Sequence, residues 1–90
     1  MFDLLAGARA LEFSHQWPDS VGQYLADLGC EVIKIEPIAG SQTRGLWVLD
    51  GISMCHSHWN RSKKSLALDV KADAGRALVL EMTRDNPGYV

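Results

Sequence analysis

The sequence predicts an α/β fold that begins with a parallel βαβ unit. Residues 9–14 (RALEFS) and 30–36 (CEVIKIE) have the short apolar and β-branched pattern that is typical of strands. Between them, residues 20–28 place apolar side chains at helical spacing. Because one helix separates two strands that lie so close in the chain, the strands are expected to run parallel, joined by a right-handed crossover.

The helix between these strands has recognisable ends. Ser20, with Gln23 following in the third position after it, predicts a capping box at the start. Gly29 stands where a helix C-terminus favours a residue that is free to adopt a positive φ. The positions that repeat with the helical period form one apolar stripe: Val21, Tyr24, Leu25 and Leu28.

The rest of the chain predicts a third strand and a second long helix. Residues 38–51 form an irregular surface segment, residues 52–59 suit a short helix, and residues 65–70 (SLALDV) suit a strand. Residues 72–85 suit a helix with Leu78, Val79 and Met82 on one side, closed by the NPG at 86–88. An open parallel sheet of this size leaves its edges bare, so we expect the chain to be the N-terminal part of something larger, or to need a partner.

Composition places the chain among small globular domains. Its 90 residues are 47% hydrophobic and 22% charged, and a net charge of −2 gives no reason to expect a nucleic acid or a membrane as partner. No apolar run approaches the roughly 20 residues of a spanning helix. The two cysteines are too few for a disulfide framework, and the N-terminus lacks the basic start of a secretory signal, which together predict a cytoplasmic location.

Three common site motifs do not match this sequence. The loop after the first strand, SHQWPDS, has no glycine, whereas a dinucleotide site needs G-x-G-x-x-G there. Cys55, His56 and His58 fit no standard spacing of zinc ligands, so no metal site is predicted. No serine stands on a G-x-S-x-G elbow, which leaves a Ser–His–Asp triad without support.

A cluster of cations stands directly before the third strand. Arg61, Lys63 and Lys64 suit either a solvated basic turn or a strand that leads towards an anionic ligand. The second interpretation gains from Asp69 and Lys71, which follow that strand and precede a helix N-terminus, whose free N–H groups favour anions. The residues alone leave the two interpretations equal.

Three stretches resemble a known family in their order and spacing. LADLGCEVIKIEP, the TRG at 43–45 and NRSKKSLALDVKADAGRAL are similar to the N-terminal region of the class III CoA-transferases, the CaiB/BaiF type. The resemblance extends from about residue 9 to residue 85. It implies a Rossmann-like α/β fold, with residues 1–90 forming a truncated N-terminal part of the large domain of this family.

The resemblance also implies an activity. Family members move CoA between carboxylic acids through an aspartyl mixed anhydride, or, in the acyl-CoA racemase branch, shift a proton next to the thioester. The expected substrates are CoA or acyl-CoA and carboxylic acids, without a permanently bound cofactor, and the expected assembly is an interlocked homodimer. The family's catalytic aspartate lies beyond residue 90, so no catalytic residue is assigned and the 90-residue chain is not expected to catalyse transfer alone. The alternative is a non-catalytic remnant that binds CoA weakly or folds only with a partner chain.

The family's CoA contacts carry over to one segment that matches the family motif and to another by position only. The segment that contacts CoA in the family matches Leu68, Asp69, Val70 and Lys71, which favours the ligand interpretation of the nearby cations. Gln16 and Trp17 stand where the family has an A-G-P segment near the thioester, so they are expected near the ligand by position only.

Two further positions depart from the family pattern. Pro37 replaces an arginine that binds CoA in some members, so that contact is not expected here. Ala72 stands where the family usually has a hydroxyl that caps the following helix, a loss that typically costs about 1 kcal/mol.

Overall fold

The computed structural model describes residues 3–13 and 18–84. Three helices are present in this part of the chain: α1 (Asp19–Asp27), α2 (Met54–Trp59) and α3 (Asp73–Thr83). The strands are β1 (Arg9–Glu12), β2 (Glu31–Glu36), β3 (Val48–Leu49), β4 (Ile52–Ser53) and β5 (Lys64–Ala67), and a short 3-10 helix spans Gln42–Gly45. None of the helices in the described ranges has both the length and the apolar character needed to cross a membrane.

The main sheet is parallel and has the strand order β1–β2–β5, so β2 is its centre. Arg9 pairs with Glu31 on one side of the sheet, and Ile33 pairs with Lys64 on the other. This arrangement confirms the predicted α/β fold and the parallel βαβ unit. In the part of the chain that the structure describes, β1 and β5 are the two edges of this sheet.

The face of the sheet beneath α1 changes character along the strands. Successive residues of a strand point to opposite faces, so Val32, Lys34 and Glu36 share the face that carries Ala10 of β1. At the amino end of this face lies a small apolar core of Ala10, Ala26, Cys30 and Val32. At the carboxyl end the buried side chains are charged, and Lys34 is only 1% exposed.

Helix α1 confirms the predicted element but corrects its orientation. The helix begins at Asp19 after Pro18, so the capping box predicted at Ser20 is wrong. The apolar stripe is not the buried face, because Val21 and Tyr24 are 61% and 69% exposed. The buried residues of α1 are Asp19, Gly22, Gln23 and Ala26, of which Asp19 contacts Lys34 at the charged end of the sheet and Ala26 belongs to the apolar core. Helix α1 ends as predicted, with Gly29 at a φ of 98°.

The segment predicted as irregular contains a 3-10 helix and a two-residue hairpin. Strands β3 and β4 are antiparallel and are joined by Asp50 and Gly51, whose φ angles are 51° and 77°. Two successive positive φ values define a type I′ turn, which the dipeptide Asp-Gly favours. The dipeptide alone therefore indicates a hairpin at this place in the sequence. Side chains on the hairpin are largely exposed, including Trp47, Leu49 and Ile52.

The remaining elements follow the prediction with shorter bounds. The short helix α2 is confirmed and is capped by Ser53, whose Oγ accepts a hydrogen bond from the His56 N–H at 3.1 Å. Strand β5 ends at Ala67 rather than at residue 70. Helix α3 is confirmed, and its capping residue, Ala72, makes no side-chain cap. Its predicted closure at residues 86–88 lies outside the described residues.

Candidate functional site

The carboxyl ends of the three parallel strands surround a cavity of about 530 Å³. Parallel strands end at the same edge of a sheet, which is where open α/β folds place their ligands. Phe13 follows β1, Pro37 and Ile38 follow β2, and the segment after β5 completes the wall. The structure thus brings together four of the predicted site residues along one wall: Leu68, Asp69, Val70 and Lys71. Gln16 and Trp17 lie outside the described residues.

The turn after β5 is held by its own hydrogen bonds. Asp69 Oδ1 accepts from the Lys71 N–H at 3.0 Å, and the Asp69 carbonyl accepts from the Ala72 N–H at 3.2 Å. The Leu68 N–H donates to the Glu36 carbonyl at 2.8 Å and so extends the contact between β5 and β2. The amides of Lys71 and Ala72 are therefore occupied within the turn, and the side chain of Lys71 is exposed beside them.

Lys71 differs from the other basic side chains of the chain. The sequence has nine lysines and arginines, and eight of them lie within 3.9 Å of a carboxylate oxygen. Within residues 3–13 and 18–84, Lys71 is the one cation with no such partner. An exposed ammonium at the rim of a cavity is free to attract a negative charge from solution.

The cation cluster before β5 contacts carboxylates of the chain itself. Arg61 donates to Asp27 at 3.1 Å, and Lys64 lies 3.6 Å from Glu31. The side chain of Lys63 is only 2% exposed and donates to both carboxylate oxygens of Glu12 at 2.8 Å. The interpretation of the cluster as a ligand-facing group is therefore wrong for Lys63, because a buried carboxylate already neutralises it.

A buried charge network joins the start of α1 to the centre of the sheet. Asp19 is fully buried, and its Oδ1 accepts from Lys34 Nζ at 2.7 Å. Its Oδ2 accepts from the Thr43 hydroxyl and from Asn60 Nδ2, each at 3.1 Å. Lys34 Nζ also lies 3.3 Å from Glu12. The network therefore contains buried cations and buried carboxylates in contact with one another.

The network changes the acidity of its members. Burial alone disfavours the Asp19 carboxylate, but the hydrogen bonds from Lys34, Asn60 and Thr43 outweigh burial and hold the pKa of Asp19 below its usual value. Burial lowers the pKa of Lys63, and its hydrogen bonds to Glu12 oppose that effect. Burial also lowers the pKa of His56, whose Nδ1 lies 3.3 Å from Asn60 Nδ2.

A second ion pair fixes the 3-10 helix beside the cavity. Arg44 Nε and Nη2 donate to the two oxygens of Glu36, both at 2.7 Å, a bidentate pairing. The Ser65 hydroxyl and the Ser41 N–H donate to the same carboxylate at 2.6 and 2.9 Å. The hydrogen bonds from Arg44 hold the pKa of Glu36 far below its usual value, so Glu36 stays ionised. It lines the cavity as a paired carboxylate and is not a proton donor.

The TRG motif at 43–45 acquires a structural meaning from these contacts. Thr43 binds Asp19, and Arg44 binds Glu36, so two adjacent residues tie the 3-10 helix to α1 and β2. The sequence analysis predicts neither of these two contacts. One feature of the sequence could have indicated them: Lys34 and Glu36 alternate with apolar residues in a strand that is expected to be buried. Buried charges require partners, so these two side chains predict ionic contacts with other segments.

The sulfur and imidazole side chains form no metal site in the described residues. No group of three histidine, cysteine, aspartate or glutamate side chains lies close enough there to hold an ion. Cys30 is buried in the apolar core, and burial raises the pKa of its thiol. Cys55 is half-buried on α2.

Comparison with known proteins connects this geometry to one family. Residues 5–86 match the model of the family described as CoA-transferase family III. A formyl-CoA:oxalate CoA-transferase of Streptomyces avermitilis is 34% identical over 87 residues, which cover 93% of this chain and 21% of that protein. A succinate–glutarate CoA-transferase of Agrobacterium fabrum is 35% identical over 94 residues, which cover 89% of this chain and 22% of that protein.

Solved structures agree with the sequence comparison. A hypothetical protein from Mycobacterium tuberculosis superposes with a TM-score of 0.78 at 31% identity, over 86% of this chain and 22% of that one. A CaiB/BaiF family protein from Brucella suis superposes with a TM-score of 0.77 at 32% identity, over 88% of this chain and 23% of that one. The chain spans about a fifth of the length of the curated relatives it matches.

Proposed function

Because the chain belongs to CoA-transferase family III, we propose that its residues form the CoA-binding part of an enzyme that transfers CoA between carboxylic acids. In this proposal residues 1–90 are the N-terminal part of the large domain, and the wall at Leu68, Asp69, Val70 and Lys71 receives CoA. Gln16 and Trp17 are proposed to lie near the same ligand. The substrates are an acyl-CoA and a free carboxylic acid, and the assembly is the interlocked homodimer of the family in the cytoplasm.

The observation that carries the proposal is the exposed ammonium of Lys71 at the rim of the cavity, which has no carboxylate partner among the described residues. CoA is a polyanion through its phosphates and also has apolar and aromatic parts. Phe13, Ile38, Leu68 and Val70 supply apolar surface in the same cavity, which suits the second kind of contact. A cation beside an apolar wall therefore fits both halves of the ligand.

The proposed role of these residues is binding rather than bond making. Asp69 is occupied by the Lys71 N–H and Glu36 by Arg44, so both carboxylates serve the structure. The covalent step is proposed to use the family's aspartate beyond residue 90, whose carboxylate oxygen bonds to the acyl carbon while the carbon–sulfur bond of the thioester breaks. Both curated relatives described above are CoA-transferases, which supports the transferase branch over the racemase branch.

Substitution of Lys71 tests the proposal directly. We expect Lys71→Ala to weaken the binding of CoA to the purified chain by about fivefold, since one partly exposed charge contact contributes about 1 kcal/mol. The loss should grow as salt is lowered, because screening then weakens. Isothermal titration with CoA at two salt concentrations measures both effects.

The matched control is Lys64→Ala. Lys64 is an exposed lysine at the start of β5, the strand that precedes Lys71, but it lies beside Glu31 and does not line the cavity. CoA affinity should stay unchanged in this variant. An equal loss in both variants would contradict the proposal, because it would show a general effect of positive charge. Unchanged affinity in Lys71→Ala would contradict it as well.

A further inference from the structure

Gly75 is the buried residue of α3, whereas the rest of that helix is exposed or half-buried. A β-carbon at this position would lie 2.7 Å from the carbonyl carbon of Asp69 and 3.4 Å from the Cα of Val70, and closer still to the Asp69 carbonyl oxygen. Real β-carbons do not approach backbone so closely. The first turn of α3 therefore rests directly on the main chain of the turn that precedes it.

That turn is the wall of the cavity. Asp69, Val70 and Lys71 all line it, so a shift of their backbone changes its shape and moves the start of the Lys71 side chain. No side chain caps α3, since Ala72 makes no such bond. The helix is joined to the wall through the Ala72 N–H, which donates to the Asp69 carbonyl, and through the close approach at Gly75.

We propose that Gly75 is a positioning residue for the CoA site, an inference that rests on the function proposed above. Because Gly75 has no β-carbon, the first turn of α3 can pack directly against the backbone of Asp69 and Val70. The distance between these two backbones in turn determines the position of the Lys71 ammonium. Helix stability gives no reason for a glycine here, because glycine weakens a helix interior relative to alanine. Close approach of the two backbones does give one.

The experiment compares Gly75→Ala with Gly45→Ala in the whole chain. Gly45 is the matched control, because a β-carbon there meets nothing within 4 Å. We expect Gly75→Ala to weaken CoA binding by up to about fivefold, the loss expected when the Lys71 charge is removed altogether. Gly45→Ala should bind as the parent chain does. Amide NMR signals of Val70 and Lys71 should shift in Gly75→Ala, while those of β2 stay in place.

A double-mutant cycle separates positioning from general damage. If Gly75 acts by placing Lys71, then adding Gly75→Ala to Lys71→Ala should cost less affinity than Gly75→Ala costs in the parent chain. Independent, additive losses would overturn the inference. Unchanged CoA affinity in a folded Gly75→Ala chain would overturn it too.

Two further outcomes are also decisive. If the parent chain does not bind CoA, the proposed function fails. The positioning role of Gly75 is then tested by the amide NMR signals alone, and unshifted signals of Val70 and Lys71 in Gly75→Ala would overturn it. If Gly75→Ala does not fold, the substitution is repeated in an Ala72→Ser background, which supplies a cap to α3. A chain that is unfolded in that background as well overturns the inference, because Gly75 would then support the fold as a whole.

Discussion

Asp19 is the residue at which four segments of the chain meet. Its carboxylate binds Lys34 of β2, Thr43 of the 3-10 helix and Asn60 after α2. Its backbone carbonyl accepts from Lys63, just before β5, at 2.8 Å. One small acid therefore fixes the start of α1 against three other parts of the molecule.

Removal of the Asp19 charge should be costly. We expect Asp19→Asn to lower the free energy of unfolding by about 3–5 kcal/mol, because the buried ammonium of Lys34 would lose the charged partner that lies 2.7 Å away. Urea denaturation measures the change.

The control for this substitution is Asp73→Asn, which replaces a carboxylate whose side chain is 96% exposed. Its effect should stay within about 0.5 kcal/mol, as is usual for surface positions. Equal unfolding midpoints for Asp19→Asn and the parent chain would show that the network adds no stability.

The contacts of this network could not be predicted from the sequence. The sequence places Lys34 in a strand, but its partner Asp19 comes from a different element, and Asn60, which also binds Asp19, lies farther along the chain. The spacing of residues within an element predicts which side chains share a face. It does not say which face of another element they meet, so the pairs become visible only in three dimensions.

Helix α1 illustrates the same limit at the scale of the element. Its period correctly predicts a helix, yet the apolar stripe with Val21 and Tyr24 is largely exposed. On the buried side of the helix, Asp19 instead accepts a hydrogen bond from Lys34 of the sheet. The apolar surface beneath α1 is small, so Leu25 of the stripe packs against it whereas Val21 and Tyr24 remain exposed.

Helix α3 begins without a side-chain cap, and the sequence predicts that weakness correctly. Ala72 has φ −76° and ψ 148°, the extended geometry of a capping residue. We expect Ala72→Ser to raise the free energy of unfolding by about 0.5–1 kcal/mol, because the serine oxygen can accept an N–H of the first turn. Thermal or urea unfolding followed by circular dichroism measures the gain.

A serine placed inside the helix is the matched control. Ala74→Ser lies in the first turn of α3 and is exposed, so it should lower stability slightly through helix propensity. A gain of equal size from both substitutions would contradict the capping explanation.

The whole molecule combines buried charges with a very small apolar core. Asp19 and Glu36 are ionised and hydrogen-bonded in the folded chain, and the apolar cluster of buried residues contains only short side chains. A larger share of stability than usual should therefore depend on protonation.

The acid response of the chain follows from the direction of these shifts. A carboxyl group whose folded pKa is lowered stabilises the fold above its unfolded pKa, and this contribution is lost as pH falls towards the folded pKa. The unfolded values are 3.8 for Asp19 and 4.5 for Glu36, so stability should fall steeply below pH 4.5. His56, with a pKa lowered from 6.5, adds a shallower decline that starts near pH 6.5.

Urea denaturation across this pH range tests the expectation. Glu36→Gln should be less stable at neutral pH and should lose less stability between pH 4.5 and pH 3, because its largest titrating contribution is gone. Parallel curves for the parent chain and Glu36→Gln would contradict this assignment.

The sequence predicts the fold and the residues along one wall of the cavity. The β2 segment and Gly29 carry strong local signals, and the segment at Leu68 to Lys71 was found by resemblance. The cavity itself was not predictable, since Phe13 and Ile38 reach it from two other strands. The role of Gly75 was equally hidden, because a close approach of two backbones leaves no pattern in a single sequence.

The strand order β1–β2–β5 has a consequence for the time the chain needs to fold. Both parallel ladders join segments separated by roughly 20 to 30 residues, so each requires closure of a long loop before any pairing energy is gained. Such non-local pairings slow folding relative to a helical bundle of the same length. Strand β2 takes part in both ladders, so we expect the folding rate to be more sensitive to substitutions in β2 than to those in either edge strand.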